Sequence, residues 1–140
     1  MTFTLQATAD ALERRLRARR LLDLPVPWAD EVVFPDYGGL SIYNVAHTVA
    51  RLLGADLPDS APLDDTVWGG DPPAGTVDRV VVILSDGLGY RWLGRYLAGD
   101  DDLRATVYDL TDGRGPLPLT ATVPSTTTTA LTTLWTGASP

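Results

Sequence analysis

No cysteine occurs in the chain, which excludes disulfides, thiolate metal sites and a cysteine nucleophile. Lysine is missing as well. All 11 basic residues are arginine, set against 18 acidic residues for a formal charge of −7. That balance argues against a nucleic-acid-binding surface and against an anionic-membrane surface. The single histidine, His47, lies within a helical pattern, where a lone imidazole is more often a core or surface residue than a catalytic base. No apolar run approaches the roughly 20 residues that cross a bilayer. The opening "MTFTLQATADALERRLRARR" carries acids among its apolar positions and has no continuous apolar stretch of the signal-peptide kind, so a cytoplasmic location is expected.

What remains is ordinary for a globular chain: 140 residues, 44% apolar and 21% charged, enough for one domain with its own core. Leu5, Ala9, Leu12 and Leu16 recur at helical spacing and predict an amphipathic helix over about 5–22. Its arginines crowd toward the C-terminal end, where the helix dipole favours cations, and are expected to form a solvated face. "SIYNVAHTVARLLG" predicts a second helix, capped by Ser41, ended by Gly54, with Ile42, Val45, Val49 and Leu52 or Leu53 turned inward. The Pro-, Asp- and Gly-rich stretch 55–77 is expected to be a long irregular surface connection.

Val80 to Leu84 form a short, continuous, mostly β-branched run, the pattern of a strand buried on both faces in a parallel sheet. A helix over about 90–97, a strand at "ATVYDL", a Gly/Pro loop, a strand near "LTATV" and a threonine-rich helix complete the alternation. That order predicts an α/β fold, a mostly parallel sheet with flanking helices.

Two stretches carry chemistry. In "VVILSDGLG", Asp86 stands where the expected strand ends, the place where open α/β sheets put their ligand sites. Gly87 and Gly89 give a G-x-G turn, but Trp92 occupies the third position of a dinucleotide fingerprint, and Asp86 would repel a pyrophosphate. A carboxylate held there can instead ligate a divalent metal, or simply cap the following helix. In "ATVPSTTTTALTTLWTG", Ser125 is the expected N-cap, with Ala130, Leu131, Leu134 and Trp135 on one helical face. Seven threonines between 126 and 136 cost the helix roughly 0.5 kcal/mol each relative to alanine, so tertiary packing must hold it. A hydroxyl in the first turn meets free backbone N–H groups and the positive end of the dipole, which favour a phosphoryl oxygen. Such a hydroxyl needs a metal or a base before it can act as a nucleophile.

Together, "VVVILSDGLG" and "VPSTTTTALTTLWTGASP" resemble the N-terminal part of the alkaline phosphatase superfamily, most closely its type I phosphodiesterase/nucleotide pyrophosphatase branch. "FPDYGGLSIYNVAHTVARLLG" looks like the leading segment of bacterial members, so the resemblance spans about 33–140, the start of the phosphodiesterase-like core. Residues 1–32, a helix and a connection, add little to it. The resemblance implies an alkaline-phosphatase-like α/β core, incomplete in this chain. In that family the Asp of a strand-ending Asp-Gly binds metal, and a Thr about ten residues before a Thr-Gly followed by Pro is the nucleophile. Here Asp86 would be a metal ligand, and Thr127, counted back from Gly137, both nucleophile and ligand. The implied cofactor is a divalent metal pair, usually zinc, with Mn or Mg as alternatives; the implied substrate is a small-molecule phosphate ester, cleaved through a phosphothreonine. The family's further Asp and His ligands follow the nucleophile helix, and this chain stops at Pro140. It is therefore expected to be an N-terminal part of a single catalytic domain, inactive by itself. A Rossmann-like nucleotide-binding module and a non-catalytic α/β domain are the alternatives. A sulfatase is disfavoured because no C-x-P-S-R-like motif is present.

Overall fold

The structure is a computed structural model that describes residues 2–20, 28, 31–68, 74–75 and 77–140, leaving aside the side chains of 2–7 and 68. Six helices lie within the described residues: α1 (Thr2–Arg17), α2 (Ile42–Leu52), α3 (Asp65–Trp68), α4 (Tyr90–Gly99), α5 (Asp101–Leu110) and α6 (Thr127–Thr136). The structure is 47% helix and 3% strand, and no sheet forms among the described residues. The expected α/β fold with a mostly parallel sheet and an alkaline-phosphatase-like core is therefore overturned. Among the described residues, extended pairing is limited to two isolated bridges, Arg20 with Val33 (antiparallel) and Ser41 with Thr120 (parallel).

The expected central strand shows why. Among the described residues, the backbone of 80–84 joins no backbone hydrogen bond, and Val81 and Ile83 are 83% and 90% exposed. A strand that is apolar on both sides is stable only with neighbours at both edges and cover on both faces. The second expected strand, "ATVYDL", is part of α5. Asp100 caps that helix, its Oδ1 accepting from Leu103 N at 2.9 Å. Asp101 and Asp102 occupy the first turn, where the dipole favours them, and Asp101 pairs with Arg104 one turn on. Caps and charges here outweigh the strand preference of Thr106, Val107 and Tyr108.

The chain divides into two compact units, Met1–Arg15 with Leu84–Pro118, and Leu16–Ile83 with Leu119–Pro140. In the first, Ala9, Leu12 and Leu97 are buried and α4 packs on α5. In the second, α2 packs on α6, with Leu40, Leu52 and Leu63 in the core. The first helix ends at Arg17, short of the expected boundary. Positions 21 and 22 of that expectation, and the side chain of Leu5, lie outside the described residues. Not all the arginines are solvated: Arg19 reaches Asp36 at 3.6 Å and donates to the Pro35 carbonyl.

The second helix starts as expected, with Ser41 and Asn44 forming a reciprocal capping box. Its inward face differs. Asn44, His47, Thr48 and Leu52 are buried, whereas Leu53 is exposed and Val45 and Val49 are half-buried. Each buried polar group has partners. Asn44 Nδ2 donates to the carbonyls of Tyr37 and Ala61 at 2.7 and 2.8 Å. Its Oδ1 accepts from Ser41 N. Thr48 Oγ1 donates to Asn44 O and accepts from Leu63 N at 2.8 Å. The stretch 61–64, expected to run over the surface, is thus pinned onto α2, and Asp64 N adds a bond to Gly39 O. A buried polar group is tolerated when its hydrogen bonds are complete, and these are.

Candidate functional site

The start of α6 is built from hydroxyls. Thr126, with φ −74° and ψ 149°, stays extended and caps the helix. Its Oγ1 accepts from Thr129 N at 3.4 Å and lies 2.8 Å from Thr129 Oγ1 and 3.3 Å from Thr128 Oγ1. Thr126 therefore takes the role expected of Ser125, because the residue that keeps extended dihedrals next to the first turn is the one whose side chain reaches back to the free N–H. Thr127 becomes the first helical residue. It is exposed, and among the described residues its side chain has no hydrogen-bond partner. A shallow cleft of about 290 Å³ beside this helix is lined by Thr128, Thr129, Thr132, Thr133, Ser139 and neighbouring atoms, and Thr127 stands outside that lining.

The body of α6 is held by packing. Thr133 is the buried residue of the helix, and Leu131 and Leu134 are half-buried. Trp135, expected on the same inward face, is 69% exposed. At the other end Gly137 caps the helix at φ 66°, and its N–H donates to Thr133 O at 2.9 Å. A side chain there would bring its Cβ within 2.6 Å of Leu57 Cδ1. Glycine is thus required twice over, by its backbone angle and by the close approach.

His47 reads that same terminus. Its Nε2 is 2.9 Å from Gly137 O, and its Nδ1 accepts from Ala61 N at 3.3 Å. Since a carbonyl can only accept, the proton is on Nε2 and the ring is the neutral Nε2–H tautomer. The imidazole is 1% exposed and stacks obliquely on Tyr43 at 4.4 Å between centroids. It is a core residue with both nitrogens engaged. It contacts α6 at the end opposite Thr127, about 15 Å away for ten residues of helix. His47 is therefore not a base for Thr127.

Asp86 lies at an exposed turn with Gly87, whose φ is 73°. It belongs to the first compact unit and Thr127 to the second. Among the described residues no group of three or more His, Cys, Asp or Glu side chains could hold a metal ion. One carboxylate and one hydroxyl fall short of the three or four protein ligands that zinc takes. The residues present do not by themselves fit the implied metal pair.

The dinucleotide reading also loses its setting, since that fingerprint needs a strand ahead of its glycines and the described residues before Gly87 form none. No helix among the described residues is long and apolar enough to cross a membrane. No protein-family model matches the chain, and no curated protein or solved structure matches it.

Proposed function

We propose that the chain carries the nucleophile of a metal-dependent phosphoric ester hydrolase of the phosphodiesterase/nucleotide pyrophosphatase kind, with Thr127 as nucleophile and Asp86 as one metal ligand. The observation that supports it most is the place of Thr127 at the first position of α6, ten residues before Gly137. There the hydroxyl lies against the helix N-terminus, whose N–H groups and dipole stabilise negative oxygen. In the proposed step, Thr127 Oγ bonds to phosphorus and passes its proton to solvent water, while the ester oxygen leaves with the bonding pair and takes a proton from solvent. Water then cleaves the phosphothreonine. A complete metal set requires donors beyond Asp86 and Thr127, so the 140-residue chain alone is expected to leave bis-p-nitrophenyl phosphate unhydrolysed. In a longer form that supplies those donors, Thr127→Ala is expected to lower kcat by at least about 1000-fold, as loss of a nucleophile does. Full activity in Thr127→Ala overturns the assignment.

A non-catalytic domain is the second reading, favoured by one observation: Thr126, Thr128 and Thr129 spend their hydroxyls on each other and on the cap. Under it, both Thr127→Ala and Asp86→Ala leave the activity of the longer form intact.

A further inference from the structure

The first compact unit holds a cavity of about 470 Å³, in the size range of small-molecule sites. One wall is α1, which brings Asp10 and Glu13, one helical turn apart, to the rim. The lining contributed by α4 includes Arg91 and Arg95, also about one turn apart. The two signs do not close on each other. Among the described residues Arg91 makes no ion pair or hydrogen bond, and Arg95 lies over the Trp92 ring at 4.7 Å from its centroid. Asp10 and Glu13 keep partners of their own, but their negative field reaches into the cavity. Burial, then Glu13, Asp10 and Tyr108, push the Tyr90 phenol above its ordinary pKa.

Gly94 also lines the cavity, and the space beside it is open. A Cβ at that position would meet nothing within 4 Å, although glycine inside a helix is disfavoured relative to alanine. The lining also includes apolar surface from Leu97, Pro116 and the ring of Tyr108. The ring lies close to Gly115, where an added Cβ would come within 3.0 Å of its Cζ. A pure anion entering this cavity meets two carboxylates, and a pure cation meets the arginines, so either pays a like-charge cost. A molecule bearing both charges meets neither.

We propose that this cavity binds a zwitterion with an apolar side chain, a free α-amino acid or a dipeptide, its ammonium toward Asp10 and Glu13 and its carboxylate toward Arg91 and Arg95. The site lies wholly in the first unit and is independent of Thr127.

The test is a titration of the 140-residue chain with L-phenylalanine and with L-leucyl-L-phenylalanine, read by amide chemical shifts and by calorimetry. Phenethylamine supplies the cationic half alone and 3-phenylpropionate the anionic half alone. At least one zwitterion is expected to saturate the shifts of the α1 and α4 amides below 20 mM, which is the millimolar range of weak small-ligand sites. Each half-ligand is expected to bind at least about tenfold more weakly, and the tighter zwitterion identifies the source. Gly94→Leu fills the cavity and is expected to abolish binding, while Gly94→Ala, a better helix former, confirms that the position itself tolerates a side chain. If Gly94→Leu does not fold, Arg91→Gln/Arg95→Gln, at two exposed positions, is expected to weaken the zwitterion at least about tenfold. Failure of both zwitterions to saturate, half-ligands that bind equally well, or undiminished binding in whichever of these two variants folds overturns the proposal.

Discussion

Two stretches of this molecule invert the usual rule of burial. The α2 face made of Asn44, His47 and Thr48 is polar and almost wholly enclosed, at 0–2% exposure. The run Val80–Leu84 is apolar and, from Val81 onward, exposed, with Ile83 at 90% exposure. Hydrophobicity alone would exchange them. What separates them is the supply of partners. The donors and acceptors on the α2 face meet backbone groups of neighbouring loops, of the Gly137 cap or of α2 and its own cap, so desolvation is compensated bond by bond. The apolar run asks for two neighbouring strands and receives none among the described residues.

The comparison can be broken at its strongest point first. Asn44→Ala removes the donor to two carbonyls and the acceptor for Ser41 N, leaving partly buried groups unpaired. The expected loss is about 3 kcal/mol, read as a shift of the urea midpoint at constant slope. A loss under about 1 kcal/mol would show that water replaces these bonds and that the polar face is not a true core.

Gly137→Ala comes next, with an expected loss of about 2 kcal/mol from backbone strain and from displacement of Leu57. The same substitution should shift the His47 ring resonances in NMR spectra, because it moves the carbonyl to which Nε2 donates. Unchanged His47 shifts would separate the cap from the imidazole.

The smallest effect is expected at the exposed run. Ile83→Ser should change stability by no more than about 0.5 kcal/mol, as for surface substitutions, while lowering binding of the apolar dye ANS. A loss above about 2 kcal/mol would place Ile83 in a core in solution and remove the contrast with α2.

Much of the helical architecture was legible where local signals agreed. Ser41 with Asn44, followed by an apolar helical period, marked the start of α2, and Gly137 marked the end of α6. Asp100 and the acids after it were an equally good signal for α5, but the β-branched residues behind them suggested a strand instead. Apolar positions do not mark the inward face of α2, whose buried residues include Asn44, His47 and Thr48. The i, i+3, i+4 spacing of Asn44, His47 and Thr48 was the available clue. The proposed site was legible only in part. Thr127 falls at the first turn of a helix, as expected, yet the cap is Thr126 and not Ser125. Asp86 falls at a turn, though no strand leads to it.

By itself the sequence determined the start of α2 and the end of α6, because caps and glycines act within a few residues of where they stand. It determined too that no thiol chemistry is open to the chain. Tertiary structure alone decided which side chains are enclosed. It enclosed Asn44, His47 and Thr48 because loops distant in the chain bring them matching donors and acceptors. It left Val81–Leu84 open because a strand's stability resides in its neighbours and not in its own residues.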